Sequence, residues 1–202
     1  MTPEAILAYY NDMGFSDYTD PKTGIEFVKV QHPDFETVLG EGNKMAAMGY
    51  TCASCHMSKM KNGNGETFTS HNASSSPLAN VTTLETCMPC HQNDEVQTTD
   101  DMVAFVRAAQ DEFGQNKAEV DAMLDGLETK LREVIADGSV DADVLDQARD
   151  LYNRATYYLS YAASYVHGRD GVKIAHNPTG MTQYVEDARA MAEEARELLG
   201  IA

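Results

Sequence analysis

Thr51-Cys52-Ala53-Ser54-Cys55-His56-Met57 and, later in the chain, Thr86-Cys87-Met88-Pro89-Cys90-His91-Gln92 decide how this sequence is read. All four cysteines lie in these two Cys-x-x-Cys pairs, and each pair is followed at once by His. Two thiols three positions apart stand on one edge of a helical turn, and the imidazole of the next residue lies on the same side. Such a set can hold haem c, its thiols adding across the vinyl groups and its His binding the iron as proximal ligand. Zinc ribbons also use paired Cys-x-x-Cys motifs, but zinc does not require His directly after each pair. Six His in 202 residues would place one after both pairs by chance in roughly one such sequence in a thousand, so haem is the reading adopted. A thioredoxin-like redox pair is weaker still, because no βαβ pattern surrounds either motif.

Outward from the motifs the chain has two characters. Residues 61–76, between the pairs, are polar and rich in Gly, Asn and Ser, and cannot build a core unaided. A large apolar group must organise them, and haem can. Residues 15–50 carry many Gly, Pro, Asp and Asn, with short apolar pieces such as Ile25-Glu26-Phe27-Val28, and read as loop with short helices. Before them, Thr2-Pro3-Glu4 signals a helix start, with Ile6, Leu7, Tyr10 and Met13 on one face and Gly14 as the stop. From Thr99 on, apolar residues recur at helical spacing. One helix runs through Val120, Leu127 and Leu131 to a stop at Asp137-Gly138-Ser139. A second carries Ala148, Leu151, Ala155, Leu159, Ala162 and Val166, and a third Val185, Ala188, Ala192, Ala195 and Leu198. No β pattern stands out. The expectation is a mainly α multihaem cytochrome c, with a haem-organised, loop-rich part over 1–98 and long helices over 99–202.

Charge bounds the partners. Fifteen Lys and Arg against 32 Asp and Glu give a formal charge of −17, which repels nucleic-acid phosphates and anionic lipid; it suits a basic partner or solubility in a salty medium, and most of these charges read as a solvated acidic face. No stretch approaches the roughly 18 to 20 apolar residues of a membrane span, so membrane association is expected only through a partner. The first twenty residues lack a basic stretch followed by an apolar run, so no secretory signal is expected in this chain. Haem attachment to such motifs takes place outside the cytoplasm. A periplasmic protein is therefore expected, its signal either removed or encoded upstream of Met1.

Further segments resemble one family, the pentahaem cytochrome c nitrite reductases that form ammonia. Tyr9-Tyr10-Asn11-Asp12-Met13-Gly14-Phe15-Ser16-Asp17-Tyr18-Thr19 is similar to the family's segment before its active-site His. Lys29-Val30-Gln31-His32-Pro33 is similar to its Lys-x-Gln-His-Pro motif. Cys52 to His56 with Met57-Ser58-Lys59 resembles the fourth haem site, and Cys87 to His91 the fifth. Thr69-Ser70-His71 with Ser76-Pro77-Leu78, and His176-Asn177-Pro178, also match. The resemblance covers almost the whole chain and corresponds to the family's C-terminal half.

It implies the following roles. His32 is the distal active-site His that meets nitrite and helps deliver protons. Lys29, through its carbonyl, and Gln31, through its side chain, bind calcium. Cys52, Cys55 and His56 hold one haem c, and Cys87, Cys90 and His91 the other. His176 is the distal ligand of the first, and His71 ligates a haem attached elsewhere. The C-terminal helices build a homodimer. Electrons come from a quinol-oxidising protein or another cytochrome.

The departures are specific. The family's catalytic Cys-x-x-Cys-Lys haem motif and its second and third haem sites are absent from these 202 residues, which suggests a fragment supplying two relay haems and one wall of the active site. Residues 33–51 lack the His that usually ligates the fifth haem; Asn43, Lys44, Met45 and Met48 stand there instead, so a Met-ligated or five-coordinate second haem is expected. Ser58 stands where the family usually has Pro. His167 rivals His176 as an axial ligand. The alternative reading is a free-standing dihaem electron carrier, which has no use for Lys29, Gln31, His32 and His71. A fragment of a reductase acting on hydroxylamine or tetrathionate is a third, weaker reading.

Overall fold

The computed structural model describes residues 2–30, 43–72, 76–163 and 172–201. Gln31, His32 and His167 lie outside these residues.

Helix α1 (Pro3–Asp12) begins as its sequence dictates: the Thr2 hydroxyl accepts from the Ala5 N–H at 3.2 Å, and Pro3 takes the first helical position, where no N–H is needed. Gly14, at φ +63°, ends it. Leu7 is buried and Ile6 and Tyr10 pack partly, but Met13, expected on the same face, is 53% exposed because the helix has ended at that point.

The expectation of no β structure is corrected. β1 (Tyr18–Thr19) pairs antiparallel with β2 (Glu26–Phe27), Tyr18 opposite Phe27. β3 (Lys59–Lys61) pairs antiparallel with β4 (Thr67–Thr69), Met60 opposite Phe68. Two or three residues per strand are too few to show an alternating pattern; tight turns make them instead. Asp20 closes the first by accepting from the N–H groups of Lys22 (2.6 Å) and Thr23 (3.2 Å), with Gly24 at φ +72°. Asn62 closes the second, accepting from Asn64 and Glu66.

The remaining elements are helical: α2 (Lys44–Ala47), α3 (Cys52–His56), α4 (Val81–His91), α5 (Thr99–Asp137), α6 (Ala142–Ala162) and α7 (Pro178–Leu198), with 3-10 turns at Pro77–Ala79 and Val172–Ala175. The three expected long helices are thus α5, α6 and α7. Helix α5 is one continuous element of 39 residues that starts well before its periodic stripe at Val120.

Two compact units form. The first comprises Met1–Gly42 and Gln110–Ala202, the second Asn43–Ala109. The units thus differ from the expected division at 98/99. The physical reason is in the first unit's core: Leu7, Ile25 and Val28 from the N-terminal segment are buried with the residues of α5, α6 and α7. Along α6, Ala148, Ala155 and Ala162 are fully buried, as are Ala188, Ala192 and Ala195 on α7. Such small side chains let two helix backbones approach closely. Tyr158 and Tyr161 meet Tyr184 edge-on, centroids 6.1 and 5.4 Å apart. The second unit has only a small core of Leu84, Val96 and Met102.

Candidate haem-binding site

Helix α3 is a single turn of Cys-Ala-Ser-Cys-His, and its own sequence starts it. The Ser54 hydroxyl accepts from the Thr51 N–H at 3.0 Å and lies 3.2 Å from the Thr51 hydroxyl. This reciprocal cap puts Cys52, Cys55 and His56 at positions i, i+3 and i+4 of one helical face. Helix α4 is capped by Asn80, which accepts from the Thr82 N–H at 3.0 Å, and its last turn carries Cys87, Cys90 and His91 at the same spacing.

All four cysteines are free. Cys52 and Cys90 are exposed, Cys55 and Cys87 half-buried. Burial pushes the Cys55 thiol up, and neighbouring Cys52 adds to the effect. Burial also pushes the Cys87 thiol up, followed by the electrostatic influence of Cys55. Burial thus favours the neutral form of the Cys55 and Cys87 thiols. Among the described residues, no three His, Cys, Asp or Glu side chains gather as an ion site.

The surroundings fit a large apolar group. In this unit Met45, Met48, Tyr50, Phe68, Val81 and Phe105 are all exposed, from 36% for Met45 to 59% for Met48. A unit with so small a core and so much open apolar surface has faces made to be covered. Phe105 stands 6.1 Å from the His91 ring, centroid to centroid. A hollow beside the first motif is lined by Cys55, His56, Met60, Ser70 and Thr83. The donor set and the apolar faces fit haem c.

Polar contacts that the sequence does not announce join the two motifs. The Ser58 hydroxyl, two residues past His56, bonds the hydroxyl of buried Thr83 and accepts from the Asn80 amide at 2.9 Å. The Ser58 carbonyl accepts from the Ser70 N–H at 3.0 Å. Ser58 therefore ties the end of α3 to the start of α4 and to the strand before His71. The departure from Pro at position 58 was the only signal pointing to it.

His71 is exposed, next to buried Ser70. Lys29 is exposed, and its N–H donates to Asp17 Oδ2 at 2.8 Å. Gln31 of the expected calcium pair and the expected active-site His32 fall outside the described residues. His176 belongs to the first unit, half-buried in the turn before α7, its N–H donating to the Lys173 carbonyl at 2.9 Å. Of the four residues weighed as a ligand for the second haem, Asn43 is spent as the α2 cap, accepting from the Ala46 N–H at 2.9 Å. Lys44, Met45 and Met48 remain exposed.

The chain is similar to known cytochromes. Residues 1–201 match the sequence profile of the family described as cytochrome c552. The cytochrome c-552 of Haemophilus influenzae is 32% identical over 120 residues, 59% of this chain and 21% of that protein. The cytochrome c-552 of Parabacteroides distasonis is 37% identical over 94 residues, 46% of this chain and 18% of that protein. The catalytic subunit of the cytochrome c nitrite reductase of Desulfovibrio desulfuricans, described with two calcium sites, superposes with a TM-score of 0.77 at 20% identity. That superposition covers all of this chain and 42% of the other. The matches thus take up about a fifth of the curated relatives.

Proposed function

This chain belongs to the cytochrome c552 family, and we propose that it carries two covalent haems c as the electron-relay part of a cytochrome that reduces nitrite to ammonia. The observation that carries this reading is the repeated thiol, thiol, imidazole set at i, i+3 and i+4, on two helices tied together by the Ser58 hydroxyl in one compact unit. Cys52 and Cys55 would anchor one group and Cys87 and Cys90 the other, with His56 and His91 as proximal ligands. When bound, haem would supply one-electron carriers, the chemistry that a six-electron reduction draws on.

The remaining roles rest on the resemblance and are part of the proposal. His176 serves as a distal ligand, and His71 is offered to a haem attached elsewhere. His32 hydrogen-bonds nitrite and delivers protons, a role that suits a side chain with a pKa near neutrality. The Lys29 carbonyl and the Gln31 side chain supply the oxygen ligands that calcium prefers. The site of action is the periplasm, the donor a quinol-oxidising protein or a cytochrome, and the assembly a homodimer through the C-terminal helices. No helix among the described residues is long and apolar enough to cross a membrane.

The test is nitrite turnover by the complete cytochrome that contains this chain. His32→Ala should lower ammonia formation by about a hundredfold or more, the usual worth of a positioned proton donor, with haem content unchanged. Unaltered turnover in that variant would remove His32 from the mechanism, and failure of the unsubstituted protein to reduce nitrite would remove the reductase reading.

A further inference from the structure

Lys173 is 4% exposed, a rare state for a lysine, whose charge is seldom buried without dedicated partners. Its partners are specific. Nζ donates to the Tyr161 carbonyl at 2.9 Å and lies 5.2 Å from the centroid of the Tyr161 ring. Tyr161 is the penultimate residue of α6, so its carbonyl is one of the four that a helix end leaves without an intrahelical donor. A cation there also meets the negative end of the helix dipole. The Lys173 backbone faces the other way. Its carbonyl accepts from the His176 N–H at 2.9 Å and the Asn177 N–H at 3.0 Å. Asn177 in turn caps α7, accepting from the Gly180 N–H at 3.0 Å.

We propose that Lys173 is the positioning residue for His176: one buried side chain clamps the end of α6 while its carbonyl fixes the turn on which the histidine stands. The inference rests on the reading of His176 as a haem ligand and deepens it. A distal imidazole holds iron only while its backbone stays in place, and the turn of Lys173 to His176 is short. Among its fixed points are the two hydrogen bonds to the Lys173 carbonyl, the clamp of Nζ onto α6 and the buried side chain of Ile174. Releasing Nζ removes one of these anchors and loosens the turn, and the distal ligand then detaches more readily. Coordination by His56 and by His91 is left alone, because neither residue belongs to this turn.

The measurement is the rate at which cyanide displaces the distal ligand from the ferric holo-cytochrome, followed by optical spectroscopy, beside electron paramagnetic resonance of the low-spin haems. Three variants are compared: Lys173→Met, which keeps the apolar stem and loses the donor, Lys173→Arg, which restores a cationic donor, and His176→Ala. Losing one hydrogen bond from a charged donor should speed displacement about tenfold or more in Lys173→Met. Lys173→Arg should recover most of the original rate, and haem content and helix content should hold in both. If His176→Ala changes the spectrum and Lys173→Met leaves the displacement rate at its original value, the positioning role is overturned while the ligand reading stands. If Lys173→Met only lowers thermal stability, with the rate unmoved, the role is structural and the proposal fails. If His176→Ala leaves the spectrum unchanged, His176 is not a ligand and both readings fall together.

Discussion

Ser58 shows how one side chain can set the spacing of a two-motif site. Its hydroxyl reaches Thr83 and Asn80, more than twenty residues away, and ties the first Cys-x-x-Cys-His helix to the second. Ser58→Ala should cost about 1–3 kcal/mol in denaturant unfolding of the second unit, since it strands the hydroxyl of buried Thr83; an unchanged midpoint would show that the link carries no energy. Asp20 is the other residue whose partners decide its behaviour. The Lys22 N–H, the Thr23 N–H and the Arg132 guanidinium hold its carboxyl below the ordinary value of 3.8, against the opposing pull of burial. The Thr98 hydroxyl does the same for Asp101, and the Ser139 hydroxyl for Asp137. A carboxyl lowered in the folded state contributes stability that is present above its unfolded pKa and lost as pH falls through the folded one. Unfolding midpoints should therefore drop below about pH 4, the model-peptide range, and Asp20→Asn should flatten that acid limb. Cysteine spacing and the following His are local facts that a sequence displays. Hydroxyl and carboxylate partners such as these are brought together only by the fold.

At the scale of elements, α5 is where sequence and structure agree most closely. Val120, Leu127 and Leu131 are fully buried, at the spacing their recurrence implies. Leu127→Ala should cost about 2–5 kcal/mol through the cavity it leaves. Gly126, on the exposed side of the same helix, has nothing within 4 Å of the position a Cβ would take. Gly126→Ala should thus stabilise by about 0.5–1 kcal/mol. A loss of stability instead would show that another chain approaches this face closely, as the proposed dimer through the C-terminal helices could require. The short ladders β1–β2 and β3–β4 escaped the sequence reading because strands of two or three residues are specified by the turns between them. The Asp20 and Asn62 side chains that close those turns read in sequence only as loop composition.

Across the whole molecule, the mainly α architecture and the haem-binding character were legible from the motifs and the helical stripes, but the grouping into units was not. The first 42 residues look like part of the haem-binding stretch, yet Leu7, Ile25 and Val28 join the core of the C-terminal helices. Their spacing is too sparse to say which apolar face they cover. That shared core also holds the tyrosines of α6. Burial pushes Tyr152 up to about 12, with Glu128 adding to it, and burial pushes Tyr157 up to about 12 as well. Tyrosines raised in the folded state contribute stability that is full below the ordinary value near 10 and falls as pH rises toward 12. Ultraviolet titration should show tyrosines ionising late, together with loss of α6 helicity; full ionisation near pH 10 with the helix intact would contradict the burial of this core. The charge of −17 belongs to the same scale; binding of a basic protein to this surface should weaken as salt is added.

The account stands on two covalent haems, and intact-mass spectrometry of the chain purified from cells that attach haem c tests this directly. The predicted result is a polypeptide mass raised by two haems, falling to one in Cys52→Ala/Cys55→Ala and to one in Cys87→Ala/Cys90→Ala. A chain that carries no haem, or whose four cysteines are recovered as thiolates around a single zinc ion, would contradict it.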